Sequence, residues 1–236
     1  MKEFNNKITN FSNNSILSYR FFQPVYIFLF VNLFLISGCS NIHKIEYINI
    51  CSTTKLPCID SNEYVLFITN KGNIKLELYG KSAPITLGSF IAFVENGSYN
   101  KTIFNRVIKK PYPFIIRGGD NSSIGNQNKF IDTKTGNKEY IPLEIKLKTS
   151  DLPIYGKEID EPSQINNIEL KHKRSYLSMA RSKDVNSASL QFYILLKSLP
   201  ELDGRYAVFG KVISGMNIVD LIQEEDFIIE AKRVES

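Results

Sequence analysis

Two β-favouring runs, separated by a short polar stretch, stand just before the first predicted helix. Residues 64–69, Tyr-Val-Leu-Phe-Ile-Thr, are rich in aromatic and β-branched side chains, and residues 70–73, Asn-Lys-Gly-Asn, favour a turn. Ile74, Leu76 and Leu78 then alternate with polar or amphipathic positions. Because successive side chains of a strand point to opposite faces, this pattern predicts a hairpin with one buried face.

The next segment, residues 84–96, has the spacing of a helix with one apolar stripe. Leu87, Phe90, Ile91 and Val94 follow the i, i+3, i+4, i+7 pattern. A proline in the first turn and a glycine just beyond the last turn fit the usual boundaries of a helix.

Strand candidates dominate the rest of the chain. Seven further runs with β character cover residues 102–108, 114–117, 141–145, 176–181, 190–196, 206–213 and 227–234. A second short helix is predicted over residues 215–223, and residues 121–151 and 153–171 are predicted to be long irregular connections. Many strands with two isolated helices favour a closed or sandwiched β fold over alternating βαβ units.

The first 38 residues have the pattern of an export signal. A polar stretch with three basic residues precedes the almost continuously apolar residues 21–36. Residues 35–39, Leu-Ile-Ser-Gly-Cys, resemble a bacterial lipobox, in which the cysteine, here Cys39, becomes the lipidated N-terminus of the mature protein. The alternative is an uncleaved N-terminal anchor helix, and both interpretations tether the remaining chain to a membrane outside the cytoplasm.

Three segments follow from this interpretation. Residues 1–38 are expected to be a signal peptide, residues 39–61 a lipidated tether, and residues 62–236 an exported domain at a periplasmic or other extracytoplasmic membrane face. Cys51 and Cys58 lie close together within the tether. The sequence leaves open whether they form a disulfide or remain free thiols.

Charge and histidine content argue against two other classes of function. The formal net charge is +5 and the basic residues are scattered, which is too mild a pattern for nucleic-acid binding. The chain has two histidines, His43 and His172, so a metal site or a Ser-His-Asp triad is poorly supplied. Both histidines are expected at the surface, and the basic run of residues 171–174 is expected to be a solvated loop.

Five segments, spread in order over residues 62–236, carry a family resemblance. They are residues 99–108, 114–120, 177–181, 187–194 and 202–212. Together they resemble the cyclophilin family, and the Met-Ala-Arg within the third is similar to its bacterial branch. The resemblance implies a mainly β fold, a closed antiparallel eight-stranded β-barrel capped by two α-helices, with the active site on an outer face. The strand candidates outnumber eight, so one of them is expected to be loop.

The resemblance also implies a peptidyl-prolyl cis-trans isomerase that assists the folding of exported proteins. It would be a monomer, would need no metal or cofactor, and would act on proline-containing segments of polypeptides. The resemblance implies that Arg106 is the catalytic residue. Rotation about an X–Pro bond must break amide resonance, with a barrier of roughly 18–20 kcal/mol, and leaves the proline nitrogen pyramidal and more basic. A fixed arginine beside that nitrogen stabilises only the twisted state, and therefore lowers the barrier.

The same resemblance implies which residues bind the substrate. The proline ring would enter an apolar pocket formed by Phe114, Ile115, Tyr193 and Leu202. Gln191 would hydrogen-bond the substrate backbone, and Ala180 would border the neighbouring groove. Gln191 and Tyr193 are two residues apart on a predicted strand and so share a face.

Four positions depart from the family pattern, and three of them, Asn105, Arg117 and Tyr206, complete the expected binding site. Asn105, Arg117 and Tyr206 stand where His, Gln and His are usual, and Glu201 replaces Trp or Phe. Arg117 is expected to repel Arg106 unless Glu201 or solvent compensates. These departures keep two alternatives open beside an active isomerase: a catalytically weak module of the same fold that binds Pro-containing segments or acts as a chaperone, and a purely structural envelope lipoprotein.

Overall fold

An eight-stranded antiparallel sheet is the framework of the chain in this computed structural model, which describes residues 56–119, 130–131 and 138–236. The strands are β1 (Asn62–Thr69), β2 (Gly72–Tyr79), β3 (Arg106–Val107), β4 (Ile115–Gly118), β5 (Phe130–Ile131), β6 (Lys138–Glu139), β7 (Glu144–Ile145), β8 (Ile154–Tyr155), β9 (Tyr176–Met179), β10 (Phe192–Leu195), β11 (Val208–Ser214) and β12 (Ile228–Val234). The helices are α1 (Pro84–Glu95), α2 (Pro162–Asn167) and α3 (Met216–Leu221), and Pro200–Leu202 forms a 3-10 turn. The large sheet has the order β12-β1-β2-β11-β9-β10-β4-β3, while β5–β6 and β7–β8 are separate two-stranded ladders.

The predicted hairpin is confirmed as β1 and β2. The two strands pair antiparallel from Asn62 opposite Tyr79 to Thr69 opposite Gly72 without a break in register. The alternating positions predicted to face the core, Ile74, Leu76 and Leu78, are fully buried, as are Val65 and Phe67 of β1. Gly72 has φ +137°, a conformation that a residue with a side chain rarely adopts, so glycine is needed at the end of this turn.

The first predicted helix is confirmed as α1, and most of its surface is buried. All four residues of the predicted apolar stripe lie in the core. The ring centroid of Phe90 lies 4.9 Å from that of Tyr99, 5.1 Å from that of Phe209 and 5.9 Å from that of Phe192. These aromatic contacts join the helix to the inner faces of β10 and β11 in one hydrophobic core.

A buried carboxylate, Glu144 on β7, binds the first turn of α1. Its two oxygens accept hydrogen bonds from the backbone amides of Ile85 (3.0 Å) and Thr86 (2.6 Å). The first amides of a helix lack partners within the helix, and the helix dipole favours a negative charge there. Burial opposes that charge and raises the pKa of Glu144 to about 7, although the hydrogen bonds act in the opposite direction.

The barrel is only partly closed, which corrects the expected full closure. β12 and β3 are the outer strands of the large sheet. Residues 101–104 instead meet residues 225–228, through Lys101 N–Ile228 O (2.7 Å), Phe104 N–Asp226 O (2.8 Å) and a bridge between Ile103 and Phe227. The run 102–108, predicted as one strand, is therefore divided. Its first half makes these contacts with residues 225–228, and only Arg106–Val107 pairs as a strand of the large sheet.

Two segments differ from the sequence prediction. The surplus strand candidate is residues 141–145, where Ile141 forms a single bridge with Ala188 and only Glu144–Ile145 pairs, in the small β7–β8 ladder. α2 lies within residues 153–171, which were predicted to be irregular, so the described chain has one more α-helix than the two expected. No residue of α2 is buried, and the helix lacks the apolar stripe by which a sequence reveals a helix.

The predicted signal peptide, Cys39 and most of the tether lie outside the described residues. Within the described ranges, no helix combines the length and the apolar character that a bilayer crossing requires. Cys58 is disulfide-bonded. The other two cysteines of the sequence, Cys39 and Cys51, both lie outside the described ranges, so a disulfide between Cys51 and Cys58 stays one of the alternatives of the sequence analysis.

Titration of Glu144 should be visible in the pH dependence of stability. Its pKa is about 7 in the folded protein against an ordinary value of 4.5, so the folded state binds the proton more tightly between these values. The free energy of unfolding should therefore fall as the pH rises from about 4.5 to about 7. Glu144→Gln, which cannot titrate, should flatten that part of a profile measured by urea unfolding, whereas Glu235→Gln at the exposed C-terminus should not. Parallel profiles for the wild type and Glu144→Gln would contradict the assignment.

Candidate active site

A small apolar cluster lies on the outer face of the sheet, opposite the main core. It consists of the buried residues Ile115, Tyr193, Leu195 and Leu199. The residues that alternate with them along β4 and β10 belong to the main core instead. Strand alternation thus gives this part of the sheet an apolar patch on each face.

The register of four neighbouring strands aligns a row of side chains across this outer face. Arg106 on β3 is the direct partner of Arg117 on β4, Arg117 is the partner of Tyr193 on β10, and Tyr193 is the partner of Ser178 on β9. Directly paired residues of antiparallel strands have their side chains on the same face, about 5 Å apart. The predicted catalytic arginine therefore stands in line with the aromatic ring of the predicted pocket.

A cleft of about 240 Å³ opens over this row. It is lined by Arg106, Phe114, Ile115, Arg117, Ala180, Arg181, Tyr193, Leu202 and Tyr206. The fold thus brings together every predicted catalytic and substrate-binding residue except Asn105 and Gln191. The cleft is small beside the roughly 300–1,000 Å³ of ordinary ligand pockets, so it suits a single side chain better than a large cofactor.

The two predicted site residues that do not line the cleft have supporting contacts. The Oδ1 atom of Asn105 accepts a hydrogen bond of 3.1 Å from Nε of Arg117. The carbonyl of Gln191 accepts a hydrogen bond of 2.9 Å from the backbone amide of Ala180, which ties the entry of β10 to the end of β9. Asn105 therefore orients a side chain of the cleft, and Gln191 positions the backbone beside it.

The connection between Arg106 and Phe114 is attached to α3. The ammonium group of Lys109 donates to the backbone carbonyl of Asp220 (2.5 Å) and to that of Ile222, at the C-terminal end of the helix. Unpaired carbonyls and the helix dipole favour a cation there. Partial burial lowers the pKa of Lys109 from its ordinary value. This contact attaches the connection to the end of α3 at Lys109.

His172 is buried, so the expectation that it lies at the surface was wrong. The residue is 2% exposed. Its Nδ1 atom lies 2.9 Å from Oδ1 of Asp203, which also accepts a hydrogen bond of 2.8 Å from the backbone amide of His172. The basic neighbours of His172 in the sequence suggested a solvated loop, but its partner is 31 residues away and no local pattern reveals it.

His172 connects Asp203 to the ring of Tyr193. Since Nδ1 faces a carboxylate, it donates to Asp203, and in the neutral imidazole Nε2 is then the acceptor. The hydroxyl of Ser178 donates to the carbonyl of Ala207 (2.8 Å), so the hydroxyl of Tyr193, 3.2 Å from Nε2, is the donor to the histidine. Burial raises the pKa of Tyr193 well above its ordinary value, which keeps the hydroxyl protonated. The ring of Tyr193, which lines the cleft, is therefore fixed by a buried series of hydrogen bonds through His172 to Asp203.

Arg181 was not predicted as a site residue, but it lines the cleft together with Tyr206. Its guanidinium lies 4.8 Å from the ring centroid of Tyr206, forms an ion pair with Glu158, and donates to the carbonyl of Arg205. The ring of Tyr206 meets that of Tyr193 edge-on, with centroids 5.8 Å apart. The signal in the sequence was the Met-Ala-Arg that ends at Arg181. Two residues of this motif, Ala180 and Arg181, line the cleft.

The cleft has a positive electrostatic character. None of the described residues that line it is acidic, and three of them are arginines. Glu201, expected to compensate the like charges, is exposed and does not line the cleft. Within the described part of the chain, no carboxylate forms an ion pair with Arg106 or Arg117.

Metal ligands are not clustered in the part of the chain that the structure describes. No group of three or more His, Cys, Asp or Glu side chains there is placed to hold a metal ion. The chemistry available in the cleft is that of fixed cations, aromatic rings and hydrogen-bond donors.

Comparison with known proteins identifies similar chains. The family model described as "Cyclophilin type peptidyl-prolyl cis-trans isomerase/CLD" matches residues 64–235. The "Peptidyl-prolyl cis-trans isomerase" of Acinetobacter baylyi is 35% identical over 167 residues, which are 69% of this chain and 72% of that protein. The "Peptidyl-prolyl cis-trans isomerase-like 2" of Rhizopus delemar is 36% identical over 167 residues, 70% of this chain but only 26% of that longer protein.

One solved structure extends the likeness to the fold. It is the crystal structure of a Cryptosporidium parvum cyclophilin type peptidyl-prolyl cis-trans isomerase in the presence of the dipeptide Ala-Pro. The two structures have a TM-score of 0.56 at 30% sequence identity, over 74% of this chain and 100% of that one. The mainly β fold expected from the sequence is thereby confirmed.

The buried series of hydrogen bonds below Tyr193 should contribute measurably to stability. Tyr193→Phe removes one hydrogen bond and should lower the free energy of unfolding by about 1 kcal/mol. His172→Ala removes the imidazole donor to the buried carboxylate of Asp203, which then keeps only the backbone amide at position 172, and should cost about 1 to 3 kcal/mol. Tyr112→Phe, at a tyrosine that is 72% exposed, is the matched control and should have no effect in urea unfolding. Wild-type stability in both buried variants would show that these contacts do not form.

Proposed function

Because the chain belongs to the family of cyclophilin-type peptidyl-prolyl cis-trans isomerases, we propose that the outer-face cleft is its active site and that Arg106 is the catalytic residue. The enzyme is an isomerase by its family. The observation that carries the proposal is the row in which Arg106, Arg117 and Tyr193 are direct strand partners beside the apolar cluster.

The proposed mechanism rests on selective stabilisation of a twisted amide. As the X–Pro bond rotates, conjugation is lost and the proline nitrogen gains electron density that the planar amide does not have. The guanidinium of Arg106 is exposed at the cleft and has no carboxylate partner among the described residues. It can donate to the proline nitrogen once twisting has restored the nitrogen lone pair, which the planar amide does not offer. Interactions formed only in the transition state accelerate the reaction.

The proline ring is proposed to bind against the outer apolar cluster. Phe114, Ile115, Tyr193 and Leu202 supply carbon surface at the cleft, and burying the apolar ring there is favourable by roughly 25 cal/mol per Å². Ala180 and Tyr206 line the adjoining part of the cleft. The relative solved in the presence of Ala-Pro supports a proline-containing peptide as the occupant.

A catalytically weak module that binds Pro-containing segments is the second candidate. It is favoured by the pairing of Arg106 with Arg117, since two like charges on partner residues repel each other. The hydrogen bond from Arg117 to Asn105 weakens this argument against turnover, because it directs the guanidinium of Arg117 towards a neutral acceptor. Turnover measurements separate the two candidates.

The same proposal includes the organisation of the chain. A domain of residues 62–236 is supported by β1, which begins at Asn62, and by the family model, which matches residues 64–235. The lipobox-like residues 35–39 support a signal peptide over residues 1–38 and a tether over residues 39–61, lipidated at Cys39. The enzyme would then act on exported proteins at an extracytoplasmic membrane surface.

Replacing Arg106 is the direct test of the proposed mechanism. Arg106→Ala should lower kcat/KM for a proline tetrapeptide at least tenfold, equivalent to about 1.4 kcal/mol of barrier, without a change in melting temperature. Arg106→Lys should not restore turnover, because a point charge lacks the planar fork of donors. Arg233→Ala, at an exposed arginine on β12, is the matched control and should retain activity. Wild-type turnover in Arg106→Ala would refute the catalytic role.

The proposed anchor is tested by mass spectrometry of the protein isolated from its native membrane. The mature chain should begin at Cys39 and should carry more than one acyl chain, since a single chain binds membranes only marginally. A chain that still begins at Met1, or a free thiol at Cys39, would contradict lipidation.

A further inference from the structure

Two of the departures from the family pattern, Asn105 and Arg117, are in direct contact. Nε of Arg117 donates to Oδ1 of Asn105 at 3.1 Å. That bond uses one edge of the guanidinium and leaves its two terminal nitrogens to other partners. Arg117 also lies between Arg106 and Tyr193 in the row across the sheet, so the second cation stands in the middle of the site.

The charge of this cation is not compensated within the described site. Arg181, the third arginine of the cleft, is paired with Glu158 and its side chain is only 7% exposed. Within the described ranges, neither Arg106 nor Arg117 has an ion pair, and none of the residues that line the cleft is acidic. The excess positive charge of the cleft therefore comes from these two neighbouring guanidinium groups.

Two cations that have no acidic partner among the described residues, in a partly enclosed cleft, attract a substrate carboxylate. The walls of Tyr193, Tyr206 and Phe114 exclude some water and strengthen the attraction, which weakens as salt screens it. A carboxylate between the two arginines would also relieve their mutual repulsion. A basic side chain in the same place would add a third positive charge.

We infer that Arg117 makes the enzyme selective for proline segments with an acidic residue, Asp or Glu, next to the proline. Arg117 is a specificity-determining residue in this assignment, and Asn105 positions it. The inference rests on the proposed function, because it assumes that the proline ring occupies the cleft beside Tyr193.

Peptides with capped ends give the first arm of the test. Acetyl-Ala-Xaa-Pro-Phe-amide and acetyl-Ala-Ala-Pro-Xaa-amide, with Xaa as Glu, Gln or Lys, differ in charge at one place and carry no charged termini. Protease-free NMR exchange spectroscopy measures kcat/KM, and chemical-shift titration measures Kd for the same peptides. In at least one series Glu should exceed Gln by about threefold to tenfold, with Lys below Gln, and the difference should shrink as ionic strength rises from about 0.05 to about 0.5 M.

Variants of the purified protein give the second arm. Arg117→Gln should bring the Glu-to-Gln ratio close to one, Arg117→Lys should retain most of the preference because the charge remains, and Arg233→Gln should leave it unchanged. Equal kcat/KM and Kd for Glu and Gln peptides in the wild type would overturn the inference while leaving the isomerase intact. If no peptide is turned over, the proposed function fails, and the Kd ratio still decides the charge preference.

Discussion

The in-register pairing of β3, β4, β10 and β9 is the constraint on which the rest of the structure depends. It places Arg106, Arg117, Tyr193 and Ser178 side by side on one face, while the alternate residues of the same strands enter the main core. A slip of one residue in any of these pairs would exchange the two faces. The hydrophobic core therefore determines which side chains reach the cleft, because the inner apolar residues cannot be turned outward without a large loss of burial.

Two buried polar arrangements support this sheet from different sides. Glu144 binds the first amides of α1, the helix whose Phe90 packs against the inner face of the strands that carry the site. On the outer side, Asp203 and His172 hold the hydroxyl of Tyr193. Buried polar groups are costly unless they are paired, so each arrangement restricts the sheet to the geometry in which its partners meet.

The sequence was informative where a signal is local. The alternation in residues 64–79 predicts the hairpin, and the spacing of Leu87, Phe90, Ile91 and Val94 predicts α1, because periodicity reports directly on which face is buried. Residues 141–145 have the same β character but join only a small ladder, since strand propensity does not say which neighbour a strand will find. α2 is short and exposed, so it has no apolar pattern to detect.

The site was predicted from a set of motifs, and its supporting contacts were not. The resemblance named eight of the residues that line the cleft, among them Arg106, Phe114 and Tyr193. It could not indicate that His172 is buried, because the contact with Asp203 spans 31 residues and exists only in the folded chain. Nor could it indicate that Asn105 and Arg117 are hydrogen-bond partners. Each residue was visible in the sequence only as a separate departure from the family pattern.

The central claim is that the row on the outer face binds and twists an X–Pro bond. The most direct measurement is a crystal structure of the protein with the dipeptide Ala-Pro. The proline ring should lie against Phe114 and Tyr193, with the guanidinium of Arg106 within about 3.5 Å of the amide that precedes the proline. A proline ring bound elsewhere, or a filled cleft in which Arg106 points away from that amide, would contradict it.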